Sequence, residues 1–114
     1  MLPSPTVTVV TLSSSESLCD ALNESCERAV KKTLELKNDA TRSHIVKRQL
    51  WRNFAEAEMR ELREALKHSM LPKDAVVAGQ EYLHALERSQ SGTALRGHAW
   101  RQRLDRIRSA RFTV

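Results

Sequence analysis

Four histidines, His44, His68, His84 and His98, are the side chains of this sequence best suited to proton transfer or metal binding. None lies three or four positions from another, so no two can share a metal ion on one helical face. Cys19 and Cys26 are seven positions apart, which on a helix separates them by about 10.5 Å at roughly 1.5 Å per residue. That exceeds the reach of a disulfide, about 7 Å between Cα atoms, and no histidine spacing completes a zinc site. Both are expected to be reduced, buried and structural. Glycines at 79, 92 and 97 cannot spell a phosphate-cradling GxGxxG or GxxxxGK loop. The carboxylate pairs Glu56 with Glu58 and Glu61 with Glu64 each have a basic neighbour within a turn and are expected to be solvated ion pairs. No catalytic residue, cofactor-binding residue or metal ligand set is therefore expected, no small-molecule substrate is implied, and the sequence reads as a protein that is not an enzyme.

The pattern that does point to a ligand is at the C-terminal end. Arg96, Arg101, Arg103, Arg106, Arg108 and Arg111 are opposed there by Asp105 alone, so this end carries the whole formal charge of +5 and the remainder is neutral. Arginine presents a planar fork of donors that grips phosphate or carboxylate with two bonds. Around the line Trp100, Leu104 and Ile107, Arg96 and Arg103 fall on one flank with Arg111, and Arg101 and Arg108 on another. These six arginines are the candidate contacts to an anionic partner, either an acidic protein or the backbone of a nucleic acid. Trp100 is a candidate interface anchor, tryptophan being enriched at binding hot spots, and fits the chain's own core equally well. An anionic membrane surface fits less well, because that role asks for bulky apolar anchors on the opposite face.

The elements that must position these residues are helical. Aromatics make up 4% of the chain, and there are three glycines and three prolines, a poor supply for sheets and turns. The first helix starts at Ser14 as N-cap, with Glu16 and Asp20 as early acids, and carries Leu18, Leu22, Cys26, Ala29 and Thr33 to a close near Lys37. Residues 38–43 hold no apolar position that would continue the stripe, so the helix either breaks here, the favoured reading, with Asp39 or Thr41 capping the next helix, or runs on as an exposed bridge. From Ser43 to Met70, Trp51, Ala55, Met59, Leu62 and Leu66 recur at helical spacing, while Arg52, Glu56, Arg60 and Glu64 form an i,i+4 ladder opposite. Pro72 stops this helix. A third carries Ala75, Val76, Tyr82, Leu83 and Leu86, Gly92 reads as a C-terminal cap, and a last helix opens at Thr93. The fold class expected is all-α: a small helical bundle or helical hairpin of about four helices, the second longest. Residues 1–14 read as a disordered arm, 15–110 as one helical domain, and 111–114 as a tail.

A chain of 114 residues with few large apolar groups buries a thin core, so its seam is expected to be completed by a partner. Leu50, Trp51, Phe54, Met59, Leu62 and Leu66 form that candidate seam, resembling a heptad face that pairs with another helix or with itself as a dimer, although Trp51 also fits the chain's own core. No Lys or Arg precedes Arg28 and no apolar run approaches the roughly 18 to 20 residues of a membrane span. A soluble intracellular protein, cytoplasmic or nuclear and not secreted, is expected. The first functional expectation is a helical interaction protein, a subunit or regulator of a larger assembly, that uses the amphipathic seam and the arginine end. The second is a nucleic-acid-binding protein, dimeric through the same seam, that contacts the phosphate backbone with its C-terminal helix.

Overall fold

A computed structural model describes residues 11–96 and 98–110 and shows an all-helical chain, with no strand among the described residues. Helix α1 spans Ser15–Lys37, α2 His44–Lys67, α3 Lys73–Arg88, α4 Gly92–Leu95 and α5 Ala99–Ala110. At 23 and 24 residues, α1 and α2 are nearly equal in length.

Local chemistry explains the boundaries. Ser14 Oγ accepts the Ser17 amide and starts α1. The break at 38–43 is present, but α2 is capped by Ser43, whose hydroxyl accepts from Val46 N. Asp39 and Thr41, the expected caps, satisfy each other instead: Asp39 Oδ1 accepts the Thr41 amide at 2.9 Å and its hydroxyl at 2.5 Å. Pro72, with extended backbone, stands at the N-cap of α3.

The single C-terminal helix expected from Thr93 onward is divided into α4 and α5. In an uninterrupted helix the Leu95 carbonyl would accept the Ala99 amide; here it accepts the Trp100 indole N–H at 2.9 Å. Gly92 is not a C-cap. It opens α4 and lies against α1, where an added Cβ would overlap the Ala29 carbonyl and the Val30 nitrogen. Its amide donates to Thr33 Oγ1 at 2.7 Å, and that hydroxyl donates to Ala29 O at 2.9 Å. Glycine is required because backbone meets backbone at this point.

Helices α1 and α3 form the middle of the molecule. Each touches all the others, whereas α2 touches α1 and α3 but neither α4 nor α5. The core joins Leu18, Leu22 and Cys26 of α1 to Ala78, Tyr82 and Leu86 of α3, with Trp51, Met59 and Leu62 entering from α2 and Leu95, Trp100 and Leu104 from the C-terminal end. The small residues of α3, Ala75, Ala78 and Gly79, let its neighbours approach closely.

Most of the arm expected at 1–14 and all of the tail at 111–114, Arg111 included, lie outside the described residues. Within the arm, Leu12 is buried in the core and its amide donates to Ser69 Oγ at 3.1 Å. Ser69 Oγ in turn donates to Ala65 O. Helical structure from Ser15 is thus preceded by a docked residue, because a leucine gains by covering the end of the bundle.

Candidate functional site

The C-terminal arginines divide into two sets. Arg96 pairs with Glu27 of α1 at 3.4 Å, Arg108 with Asp20 of α1 at 3.1 Å, and Arg103 with Glu81 of α3 at 2.7 Å. Arg103 contributes both its Nε and an Nη to the same Glu81 oxygen, which holds the guanidinium proton more firmly than usual. These three therefore fasten the C-terminal end to the middle of the chain. Arg101 and Arg106 are exposed and form no ion pair among the described residues.

Trp100 is not on a surface. It is fully buried, stacks edge-on against Tyr82 at 4.9 Å between ring centroids, and bonds to Leu95 O. Its hydrophobic area is satisfied inside this chain, which removes it as an interface anchor.

The seam of α2 is likewise divided. Trp51, Met59 and Leu62 are buried, and the Trp51 indole N–H donates to Ser89 O at 2.9 Å. Leu50, Phe54 and Leu66 are half-buried at the margin of the core, with Phe54 against Trp51 at 5.6 Å. The centre of the seam packs on this chain's own α1 and α3, because they supply the facing helices that the sequence assigned to a partner. What remains accessible is the flank Val46, Leu50, Phe54, together with Ile45, which is 82% exposed.

One polar constellation escaped the sequence reading. Tyr82 OH donates to Ser25 Oγ at 2.6 Å, Ser25 Oγ donates to Glu58 Oε2 at 3.0 Å, and Arg28 grips Glu58 with bonds of 2.7 and 2.9 Å. Glu58 is buried, unlike the solvated carboxylate expected. The signal was its register: it stands seven residues after Trp51 and four before Leu62, inside the apolar stripe. Burial pushes the Tyr82 phenol up, so it stays protonated as a donor. Every member is bonded, and the chain ties α1, α2 and α3 into one register. Five clefts of the surface are lined by other residues.

The remaining candidates for chemistry stay apart. Cys19 and Cys26 are free and buried, and burial raises both thiols above their ordinary value. His68 lies 3.7 Å from Glu64 on an exposed surface, His44 is exposed near the start of α2, and His84 and His98 line a groove beside Glu81 and Arg88. No three His, Cys, Asp or Glu among the described residues are grouped to hold a metal ion. The expected ladder on α2 does not close: Arg52 with Glu56, Glu56 with Arg60, and Arg60 with Glu64 form no ion pair, and Glu64 reaches Lys67 instead at 3.3 Å. No helix among the described residues is long and apolar enough to cross a membrane. Compared with known proteins, the chain matches no family model, no characterised protein and no solved structure.

Proposed function

We propose that this chain is a non-enzymatic interaction protein, a subunit or regulator of a larger assembly, which meets an acidic partner through positive charge and the accessible flank of α2. The observation that supports it is the division of the positive charge into a neutralised set and an uncommitted one. Arg96, Arg103 and Arg108 are neutralised by acids of α1 and α3. Arg101 and Arg106 of α5, and Lys47, Arg48 and Arg52 of α2, carry no ion pair among the described residues. Exposed, unpaired arginine is available for two-bond contacts to carboxylates, and Val46, Leu50 and Phe54 add apolar area beside it.

The test is retention of the purified chain on immobilised polyglutamate and on double-stranded DNA through rising salt, with molar mass by light scattering and the 260 to 280 nm absorbance ratio on the same sample. Retention on polyglutamate that weakens when Arg101 and Arg106, or Lys47 and Arg48, become glutamine supports the reading. Strong retention on DNA alone, with co-purifying nucleic acid that salt removes, overturns it in favour of backbone contact to nucleic acid.

A further inference from the structure

Between the end of α1 and the start of α2 lies a cleft of about 440 Å³. Its floor is apolar, supplied by Leu36 and the edge of Trp51, and its charged walls are Lys37, Lys47 and Arg48, with His44 beside them and no carboxylate among the lining residues. The acid of the adjoining loop, Asp39, is engaged by Thr41 and by Arg42 at 3.3 Å. Lys37, Lys47 and Arg48 form no ion pair among the described residues. Lys47 also stands three and seven positions before Leu50 and Phe54, which places these half-buried apolar residues on the same face of α2.

Like charges gathered around an apolar floor repel one another; the field of Asp39 reaches Lys47, but no carboxylate lines the cleft itself, so an entering anion relieves the repulsion further. We infer that the cleft between α1 and α2 is the docking site for a peptide segment of a partner protein that carries glutamate or aspartate beside a leucine-type side chain. The apolar side chain enters between Leu36 and Trp51, and the carboxylates meet Lys37, Lys47 and Arg48. Charge complementarity selects an acidic occupant, and the apolar floor selects a peptide with a branched aliphatic side chain over a nucleic acid, whose sugar-phosphate backbone carries no such group. This rests on the interaction reading above but assigns the contact to α1 and α2, which the arginine count of the C-terminal end did not single out.

The probes are three fluorescein-labelled molecules of equal charge: an amphipathic glutamate-leucine peptide, a glutamate peptide without leucine, and a single-stranded oligonucleotide. Binding is read by anisotropy on the full chain, and tryptophan emission is followed because Trp51 borders the cleft. The expected result is tightest binding of the glutamate-leucine peptide with a shift in emission. The triple variant Lys37→Gln, Lys47→Gln, Arg48→Gln weakens that binding by about tenfold, the sum of three ordinary exposed charge contacts. Arg101→Gln with Arg106→Gln changes it by less than about twofold on the same scale. All five positions are at the surface or half-buried, and unchanged circular dichroism and melting confirm that both variants fold. If the α5 variant abolishes binding and the cleft variant does not, the cleft is excluded while the interaction reading survives. If neither variant weakens binding, both fail. Equal or tighter binding of the oligonucleotide, displaced by the peptide, overturns the peptide assignment.

Discussion

The C-terminal end and the first half of α2 are both rich in cations, yet the fold pairs part of the first set and none of Lys47, Arg48 and Arg52 in the second. At the C-terminal end Arg96, Arg103 and Arg108 are paired with acids of α1 and α3, 88 residues away in the case of Arg108 and Asp20 and 69 for Arg96 and Glu27, while Arg101 and Arg106 form no ion pair among the described residues. Lys47, Arg48 and Arg52 of α2 form no ion pair among the described residues, although Arg48 and Arg52 share a cleft with Glu56 and Glu87. A count of charges along a chain therefore does not tell which cations the fold pairs and which it leaves unpaired. What separates a binding surface from a fastening is whether the fold delivers a counter-charge to it.

The difference can be broken first at the seat of the C-terminal end. Gly92 brings α4 onto the α1 backbone, and α4 holds Leu95, whose carbonyl binds Trp100. Gly92→Ala forces backbone against backbone with no side chain able to yield, and should lower stability by about 3 kcal/mol in urea denaturation. It should also release α5, so that Trp100 emission shifts to the red. Gly79→Ala is the control: its nearest contact would be Leu66 Cδ1 at 3.1 Å, the far end of a flexible side chain. The gain in helix propensity, about 1 kcal/mol, offsets that crowding, and stability should move little. Equal losses from the two substitutions would show that α4 is not the seat of the C-terminal end.

A smaller effect tests what holds α2. Its second half is fastened through Glu58, while its first half lines the cleft beside the end of α1. Glu58→Ala leaves the Ser25 hydroxyl without its acceptor and unpairs Arg28, which is half exposed and regains water. The loss should be about 2 kcal/mol, less than for a fully buried ion pair. Glu58→Gln keeps an acceptor for Ser25 and should cost less. Thermal melts followed at 222 nm distinguish them, and a neutral Glu58→Ala would mean that α2 is held by its apolar contacts alone.

Local signals in the sequence carried the all-helical class, the Ser14 cap, the stop at Pro72 and the unbridged cysteines, since each depends on residues within a turn or two. The failures share a cause. Gly92 was read by its local preference for helix ends, whereas its role is set by Ala29 and Val30, more than sixty residues earlier in the chain. Glu58 was read by its basic neighbours, whereas its partners Arg28 and Ser25 lie on α1. The seam of α2 was correctly recognised as a face that needs a helix opposite, but periodicity cannot tell a helix of the same chain from a helix of another. The charged cleft could not be found in sequence, because Lys37 and Lys47 come together only once the 38–43 turn folds α2 back beside α1.

The finest test of the contrast between the two regions is charge removal at matched sites. Both donors of Arg103 converge on one oxygen of Glu81, and the second oxygen of that carboxylate is buried without a hydrogen bond among the described residues. Arg103→Gln therefore leaves a partly buried carboxylate without its counter-ion, and Tm should fall by a small but measurable amount at low salt. The gap between variant and parent should narrow as salt is raised, because screening weakens the bond that the parent retains. Arg101→Gln removes the same charge from the same helix but breaks no ion pair, so its Tm should match the parent at every salt concentration. A parallel fall in both variants would mean that the fold draws on the total charge of α5, and the distinction between fastening and free arginines would then have to be abandoned.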